Sequence, residues 1–110
     1  MGSFAVGTVV TVPYTYSDGS KTELRPAVIV ADLPGVDSTV CAITSQSRGM
    51  AQRILINNSD LVSGSLRIEP SYAVPSKLFT VENSLVKKTV GQLSEAKKCE
   101  IVSAVIQLFQ

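Results

Sequence analysis

The sequence contains no histidine, and only two of its 110 residues are cysteines. Histidine-based catalytic triads and metal sites are therefore excluded, and acid–base chemistry must come from a carboxylate, a lysine, a tyrosine or a thiol. Two thiols are also too few for a disulfide framework or a zinc site. We therefore expect Cys41 and Cys99, which lie far apart in apolar surroundings, to be reduced core residues of a cytoplasmic protein, and we expect no metal and no cofactor.

The sequence also has few charged residues and few long apolar runs. Only 17% of the residues are charged and the net charge is +1, so bulk charge does not point to a nucleic-acid binder. No apolar run has the length of a membrane span, and no signal-peptide pattern precedes the chain, which predicts no membrane association. The chain is long enough for one core and carries no repeat or linker, so we expect a single domain over residues 1–110.

The most informative stretch is a pair of apolar, β-branched runs at residues 9–12 and 27–30, separated by a polar segment. The Asp18-Gly19 turn between them predicts an antiparallel pair of strands. The segment also holds Lys21, Glu23 and Arg25, and charged loops anchored by strands commonly bind or catalyse. Pro26 restricts the residue before it to extended conformations, so we expect Arg25 at the mouth of the second strand.

The remaining patterns predict further short strands. Residues 6–12, 39–44, 53–57 and 78–81 are predicted strands, and the third-strand run at 39–44 is apolar enough to be buried on both faces. Residues 61–66 are predicted to form a turn, and 86–93 fit either a strand or a loop. Because Pro70 and Pro75 interrupt residues 68–74, any strand there should be short and at a sheet edge.

The C-terminal segment predicts the only clear helix. Ser94 is a suitable N-cap, and Glu95 lies in the first turn, where the helix dipole favours a carboxylate. The fold class is therefore mainly β (β-rich α+β), with many short strands bent into a barrel and one helix packed on it. The expected core-facing stripe of that helix consists of Cys99, Ile101, Val102, Val105, Ile106, Leu108 and Phe109.

A phosphate site can be assembled from the second and third strands. If these strands are antiparallel neighbours, Arg25 lies beside Thr44 and Ser45, and a guanidinium surrounded by hydroxyls binds phosphate well and stabilises charge in a phosphorane-like transition state. The alternative is an arginine paired with Glu23 or Asp18 that only closes a hairpin, and structural ion pairs of this kind are common.

Other candidates surround this site. Either Glu23 or Asp18 can act as a base for a sugar hydroxyl, although Asp18 also suits a simple Asp-Gly turn. Tyr14 and Tyr16 share one face of the first strand, where they either stack unpaired bases or pack in the core. A second functional loop is predicted at residues 44–49, and its polar candidates are Ser45, Gln46 and Arg48.

In order and spacing, these segments resemble the PemK/MazF family of growth-inhibiting toxins along nearly the whole chain. The most telling segment is Arg25-Pro26-Ala27, which leads into Val28-Ile29-Val30. The other matching segments are Gly7 with Val9-Val10, Pro13-Tyr14, Asp18-Gly19, Ala42-Ile43-Thr44-Ser45, Pro70-Ser71, Lys77-Leu78-Phe79-Thr80-Val81 and Val90-Gly91-Gln92-Leu93-Ser94.

The resemblance implies an SH3-like, CcdB/PemK-type bent antiparallel barrel that forms a homodimer and is held in check by a cognate antitoxin. It implies a metal-independent, sequence-specific endoribonuclease (an mRNA interferase) that cuts single-stranded RNA. The ribose 2′-hydroxyl attacks the adjacent phosphate and leaves a 2′,3′-cyclic phosphate and a 5′-hydroxyl. Arg25 would stabilise the developing charge and help to protonate the leaving oxygen, and Thr44 would hold the phosphate.

The chain departs from the family pattern before the Leu-Phe-Thr strand. Some relatives use an arginine and an aspartate there, whereas this sequence has Val74 and Ser76. The general base is then assigned to Glu23, and the residues expected to contact RNA are Tyr14, Tyr16, Asp18, Ser45, Gln46 and Arg48. Two alternatives stay open: a non-enzymatic poison of a protein target, as in gyrase-inhibiting toxins of this fold, and a catalytically inactive barrel that only binds.

Overall fold

The computed structural model describes residues 4–15, 19–49 and 51–110, which form one antiparallel sheet and a C-terminal helix. Along the sheet the strand order is β4-β6-β3-β2-β1-β7-β5, and the sheet curls into a half-barrel whose two ends are β4 and β5. The predicted fold class is confirmed. The elements are β1 Thr8–Thr15, β2 Thr22–Asp32, β3 Asp37–Thr44, β4 Ile54–Ile56, β5 Leu61–Gly64, β6 Ser71–Glu82, β7 Lys88–Leu93 and α1 Glu95–Gln107, with 3₁₀ turns at Asn58–Asp60 and Asn83–Leu85.

The central strands bury both of their faces. Val28 of β2 pairs with Cys41 of β3, and both belong to a core cluster that includes Ile101 of α1. Val40, the residue next to Cys41, belongs to a second cluster on the opposite face. Successive strand residues point to opposite faces of the sheet. Because a core cluster covers each face of β3, residues on both of its faces are apolar, as predicted.

The prediction for residues 68–74 was wrong, because β6 is long and lies inside the sheet between β4 and β3. Its pairing with β3 jumps from Ile43↔Ala73 to Cys41↔Leu78, so residues 74–77 form a bulge opposite a single residue of β3. Pro75 lies within this bulge, where its missing N–H breaks no ladder hydrogen bond. The bulge is therefore what allows a proline inside an interior strand.

Residues 61–66 were predicted to be a turn, but Leu61–Gly64 is strand β5, paired with β7. The two strands approach closely where Gly64 faces Gly91. A Cβ on Gly91 would collide with the carbonyl oxygen of Ser63. The glycine of the Ser-Gly-Ser sequence therefore allows the backbones of β5 and β7 to approach closely, and it does not form a turn.

Helix α1 begins as predicted, since the Oγ of Ser94 accepts a hydrogen bond of 3.2 Å from the backbone N–H of Lys97. The predicted core-facing stripe was right at Ile101 and wrong at its exposed members. Ile101 is the one buried residue of the helix, and Ala104 packs against the same cluster. Cys99 is exposed, whereas Cys41 is buried as predicted.

The other exposed members of the predicted stripe include Ile106, Leu108 and Phe109, which is 77% exposed. The helix therefore packs through a narrow contact near its middle, and its C-terminal end leaves apolar side chains in solvent. In the part of the chain described here, no helix combines the length and apolar character needed to cross a membrane.

Candidate active site

The candidate site lies where strands β1, β2 and β3 run side by side. Val12 of β1 is paired with Arg25 of β2, and Ala27 of β2 is paired with Ala42 of β3. The ladder ends at this pair, and its antiparallel direction brings Arg25, two residues before Ala27, and Thr44, two residues after Ala42, to the same end of the two strands. The predicted juxtaposition of Arg25 and Thr44 thus follows from the β2–β3 pairing.

Arg25 lies within β2, because the strand already begins at Thr22. The expectation that Glu23 and Arg25 belong to the preceding loop was wrong. Two residues apart on one strand, the two side chains share a face, and Arg25 Nη2 lies 3.0 Å from Glu23 Oε2, with 35% and 36% of the side chains exposed. The Arg25 guanidinium carbon also lies 6.0 Å from the centre of the Tyr14 ring, a distance at which a cation interacts with an aromatic face.

Thr44 is the last residue of β3, and its hydroxyl is oriented by the loop that follows. The backbone N–H of Gln46 donates a hydrogen bond of 3.1 Å to Thr44 Oγ1. Because the hydroxyl oxygen accepts this bond, its own proton is available for an acceptor such as a phosphate oxygen.

The side chain of Arg53 stabilises that loop through two hydrogen bonds. Its Nε donates to the carbonyl oxygen of Gln46 at 2.9 Å, and its Nη1 donates to the carbonyl oxygen of Ala51 at 3.1 Å. A Cβ on Gly49, whose φ is 151°, would lie 2.5 Å from Arg53 Nη1, so only a glycine lets the guanidinium lie this close.

Arg25 and Thr44 line one cleft of about 240 Å³. Its walls combine apolar side chains with a few polar groups, a composition typical of ligand sites. Glu23 lies beside the cleft through its ion pair with Arg25. The lining residues are Val12, Tyr14, Arg25, Pro26, Ala42, Ile43, Thr44, Val74, Lys77 and Phe79.

The other predicted RNA-contacting residues are placed less centrally. Ser45, Gln46 and Arg48 lie on the exposed loop after β3 and are not part of the cleft lining. Tyr16 and Asp18 lie outside the described residues. Tyr14 does line the cleft, where its ring centre is 5.8 Å from that of Phe79.

Sequence analysis missed two groups at the site. Lys77 was treated only as the first residue of a strand segment, but the bulge in β6 brings it to the cleft. Arg53 was treated only as the start of a strand, although it fixes the loop beside Thr44. The proline within a strand-like run was the available signal for the bulge, whereas no local signal marked Arg53.

Chemically, the cleft can bind a phosphodiester. A guanidinium donates two parallel hydrogen bonds to a phosphate, a hydroxyl donates a third, and a carboxylate is within reach to accept a proton. Within residues 4–15, 19–49 and 51–110, no three cysteine or acidic side chains are grouped so that they could hold a metal ion. The fold and the cleft together define a small antiparallel half-barrel with a cleft at the end of its β2–β3 ladder whose lining includes an arginine and a threonine hydroxyl.

The sequence matches a family model over residues 5–109, and this chain belongs to that family, the PemK-like, MazF-like toxins of type II toxin–antitoxin systems. A comparison with curated proteins finds none that matches.

Solved structures share the fold at low sequence identity. An endoribonuclease from mycobacterial species superposes with a TM-score of 0.74 at 15% identity, covering 99% of this chain and 93% of that one. A mycobacterial endoribonuclease in complex with its cognate antitoxin gives a TM-score of 0.69 at 15% identity, covering 96% of both chains. The Mycobacterium tuberculosis toxin MazF-mt6 gives 0.63 at 16% identity, covering 91% of this chain and 95% of that one.

Proposed function

We propose that this toxin is a sequence-specific, metal-independent endoribonuclease that cleaves single-stranded RNA. The observation that carries the proposal is that Arg25 and Thr44 line the same cleft. The structural neighbours described as endoribonucleases support it, because they share the fold along nearly their whole length.

In the proposed reaction the ribose 2′-oxygen attacks the adjacent phosphorus, and the bond from phosphorus to the 5′-oxygen breaks. Glu23 accepts the proton of the 2′-hydroxyl, and the products are a 2′,3′-cyclic phosphate and a 5′-hydroxyl. Arg25 stabilises the charge that develops on the non-bridging oxygens, while the Thr44 hydroxyl holds one of them. The leaving 5′-oxygen is protonated by water bound to Arg25, since a guanidinium does not release its own proton in proteins.

The toxin is proposed to act as a homodimer that a cognate antitoxin inhibits. The family membership and the neighbour in complex with its antitoxin support the antitoxin. Exposed apolar side chains at the end of α1, such as Ile106 and Phe109, support an interface with another chain. The cytoplasm, where RNA is accessible, is the proposed location.

Cleavage of a long single-stranded RNA in EDTA tests the reaction, using a dimeric sample free of antitoxin. We expect fragments with 5′-hydroxyl ends from the unmodified protein and from Arg67→Ala, which removes an exposed arginine outside the cleft. Arg25→Ala should lower kcat by about 10²- to 10³-fold or more, because it removes the main electrostatic stabiliser. Thr44→Val should also slow cleavage, since it keeps the shape and removes the hydroxyl.

Two results would overturn the proposal. If a folded sample cuts none of a varied set of RNAs, the Arg25–Glu23 ion pair is structural, and the inactive binding module and the protein poison become the leading functions. If Arg25→Ala cleaves as fast as Arg67→Ala, the catalytic cleft lies elsewhere.

A further inference from the structure

The cleft carries a positive charge that no carboxylate among the described residues offsets. Of its two cations, Arg25 is already paired with Glu23 at 3.0 Å. The second is Lys77, whose side chain is exposed and takes part in none of the ion pairs among the described residues. An incoming anion therefore meets one neutralised cation and one cation that is free to bind it.

Lys77 reaches the cleft because of the bulge in β6. The pairing of β6 with β3 resumes only at Leu78, so Lys77 is the last unpaired residue before the ladder continues. Its side chain is exposed rather than packed, and replacing it removes no core contact. Strand β6 therefore positions the charge of Lys77 at the cleft, and the Lys77 side chain does not contribute to the packing of the core.

Lys77 also stands where the cleft meets a second, shallower depression of about 480 Å³. The two share Tyr14, Lys77 and Phe79, so the tilted aromatic pair forms a wall common to both. The second depression adds Pro13, Thr15 and Leu78 to the shared rings of Tyr14 and Phe79, and aromatic rings suit an unpaired nucleobase. A chain that continues from one depression into the other passes the residues that both share, and Lys77 is the charged one among them.

We propose that Lys77 binds the phosphate next to the scissile one, where the RNA backbone passes from the catalytic cleft to the second depression. This proposal rests on the proposed ribonuclease function. Lys77 is a positioning residue in it: the ammonium holds a neighbouring phosphate in the ground state and the transition state alike, while Arg25 acts on the reacting phosphate. An ammonium suits this role because it binds phosphate as a point charge without demanding one orientation.

The test measures binding of a mixed-sequence single-stranded RNA whose 2′-hydroxyls are all methylated, so that attack on phosphorus is blocked. The dissociation constant is measured from about 50 mM to about 500 mM salt for the unmodified protein, Lys77→Gln, Lys77→Arg and Arg67→Gln. Each phosphate contact to a single strand contributes about 0.7 to the slope of log affinity against log salt.

We expect Lys77→Gln to lower that slope by about 0.7 and to bind about fivefold more weakly near 0.1 M salt. Lys77→Arg should have the same slope as the unmodified protein. Arg67→Gln removes one positive charge outside both depressions, so its slope should also be unchanged. On cleavable RNA, Lys77→Gln should raise KM and leave kcat nearly unchanged, because the contact is the same in both states.

An unchanged slope for Lys77→Gln, in a protein that binds and cleaves RNA, overturns the role of Lys77 and leaves the ribonuclease proposal intact. If Lys77→Gln and Arg67→Gln lose RNA affinity equally, the role of Lys77 is overturned as well, because the loss then reflects net charge and not a local contact. If the unmodified protein neither binds nor cuts RNA, both proposals fail.

Discussion

At the scale of single residues, Glu23 decides how the site works. Its carboxylate is 3.0 Å from Arg25, so it is either the base of the reaction or only the partner of the arginine. A half-exposed ion pair of this kind contributes at most about 1 kcal/mol to stability. Removing its charge should therefore reveal a catalytic role without unfolding the protein.

We expect Glu23→Gln to lower kcat by at least about 10²-fold, because a positioned general base contributes about 10²- to 10⁴-fold. RNA cleavage rates and thermal unfolding of the same samples provide the measurement. Glu82→Gln is the matched control, since Glu82 is an exposed carboxylate at the far end of β6. A Glu23→Gln variant within a few-fold of the unmodified protein would restrict Glu23 to pairing with Arg25.

At the scale of elements, the loop between β3 and β4 is held by the side chain of its own last residue, Arg53. Arg53 bonds the carbonyl oxygens of Gln46 and Ala51, and the Gln46 amide in turn bonds the Thr44 hydroxyl. The orientation of the Thr44 hydroxyl therefore depends on a residue that does not itself line the cleft.

Arg53→Ala should free this loop and misplace the Thr44 hydroxyl. We expect faster hydrogen exchange at the Gln46 amide, cleavage slowed by roughly tenfold and a loss of stability of about 1 kcal/mol for the removed hydrogen bonds. Arg53→Lys keeps the positive charge but lacks the two guanidinium donors that bond Gln46 and Ala51, so it should behave like Arg53→Ala. Exchange at Gln46 that stays as slow as in the unmodified protein would show that the loop holds its shape without Arg53.

At the scale of the whole molecule, Cys41 links global stability to alkaline pH. It lies fully buried in the main core cluster, and desolvation raises the pKa of its thiol from 9.0 to about 12. In the unfolded chain the thiol ionises near its ordinary pKa. Between about pH 9 and pH 12 the unfolded state therefore binds fewer protons, and stability falls as pH rises.

We expect the free energy of unfolding to lose up to about 1.4 kcal/mol per pH unit through Cys41 in that range, and nothing below pH 9. Denaturant unfolding of the unmodified protein and Cys41→Ala from pH 7 to pH 11 measures this. The stability gap between the two should be constant up to about pH 9 and shrink above it. A gap that stays constant to pH 11 would mean that the Cys41 thiol ionises equally in both states.

The sequence determined the strand pair, the helix cap and the apolar third strand, because turn chemistry, capping and apolar runs act between near neighbours. It also determined that Arg25 and Thr44 would meet, since an antiparallel pair of strands brings the start of one beside the end of the other. The family followed from the order of those same short segments, and the match over residues 5–109 confirms it.

Tertiary structure alone decided the rest. Pro75 lies within an interior strand because a bulge leaves it unpaired, and the same bulge brings Lys77 to the cleft. Of the apolar stripe predicted for the helix, Ile101 packs in the core, whereas Cys99 and Phe109 are exposed. These outcomes depend on partners distant along the chain, which local patterns do not record.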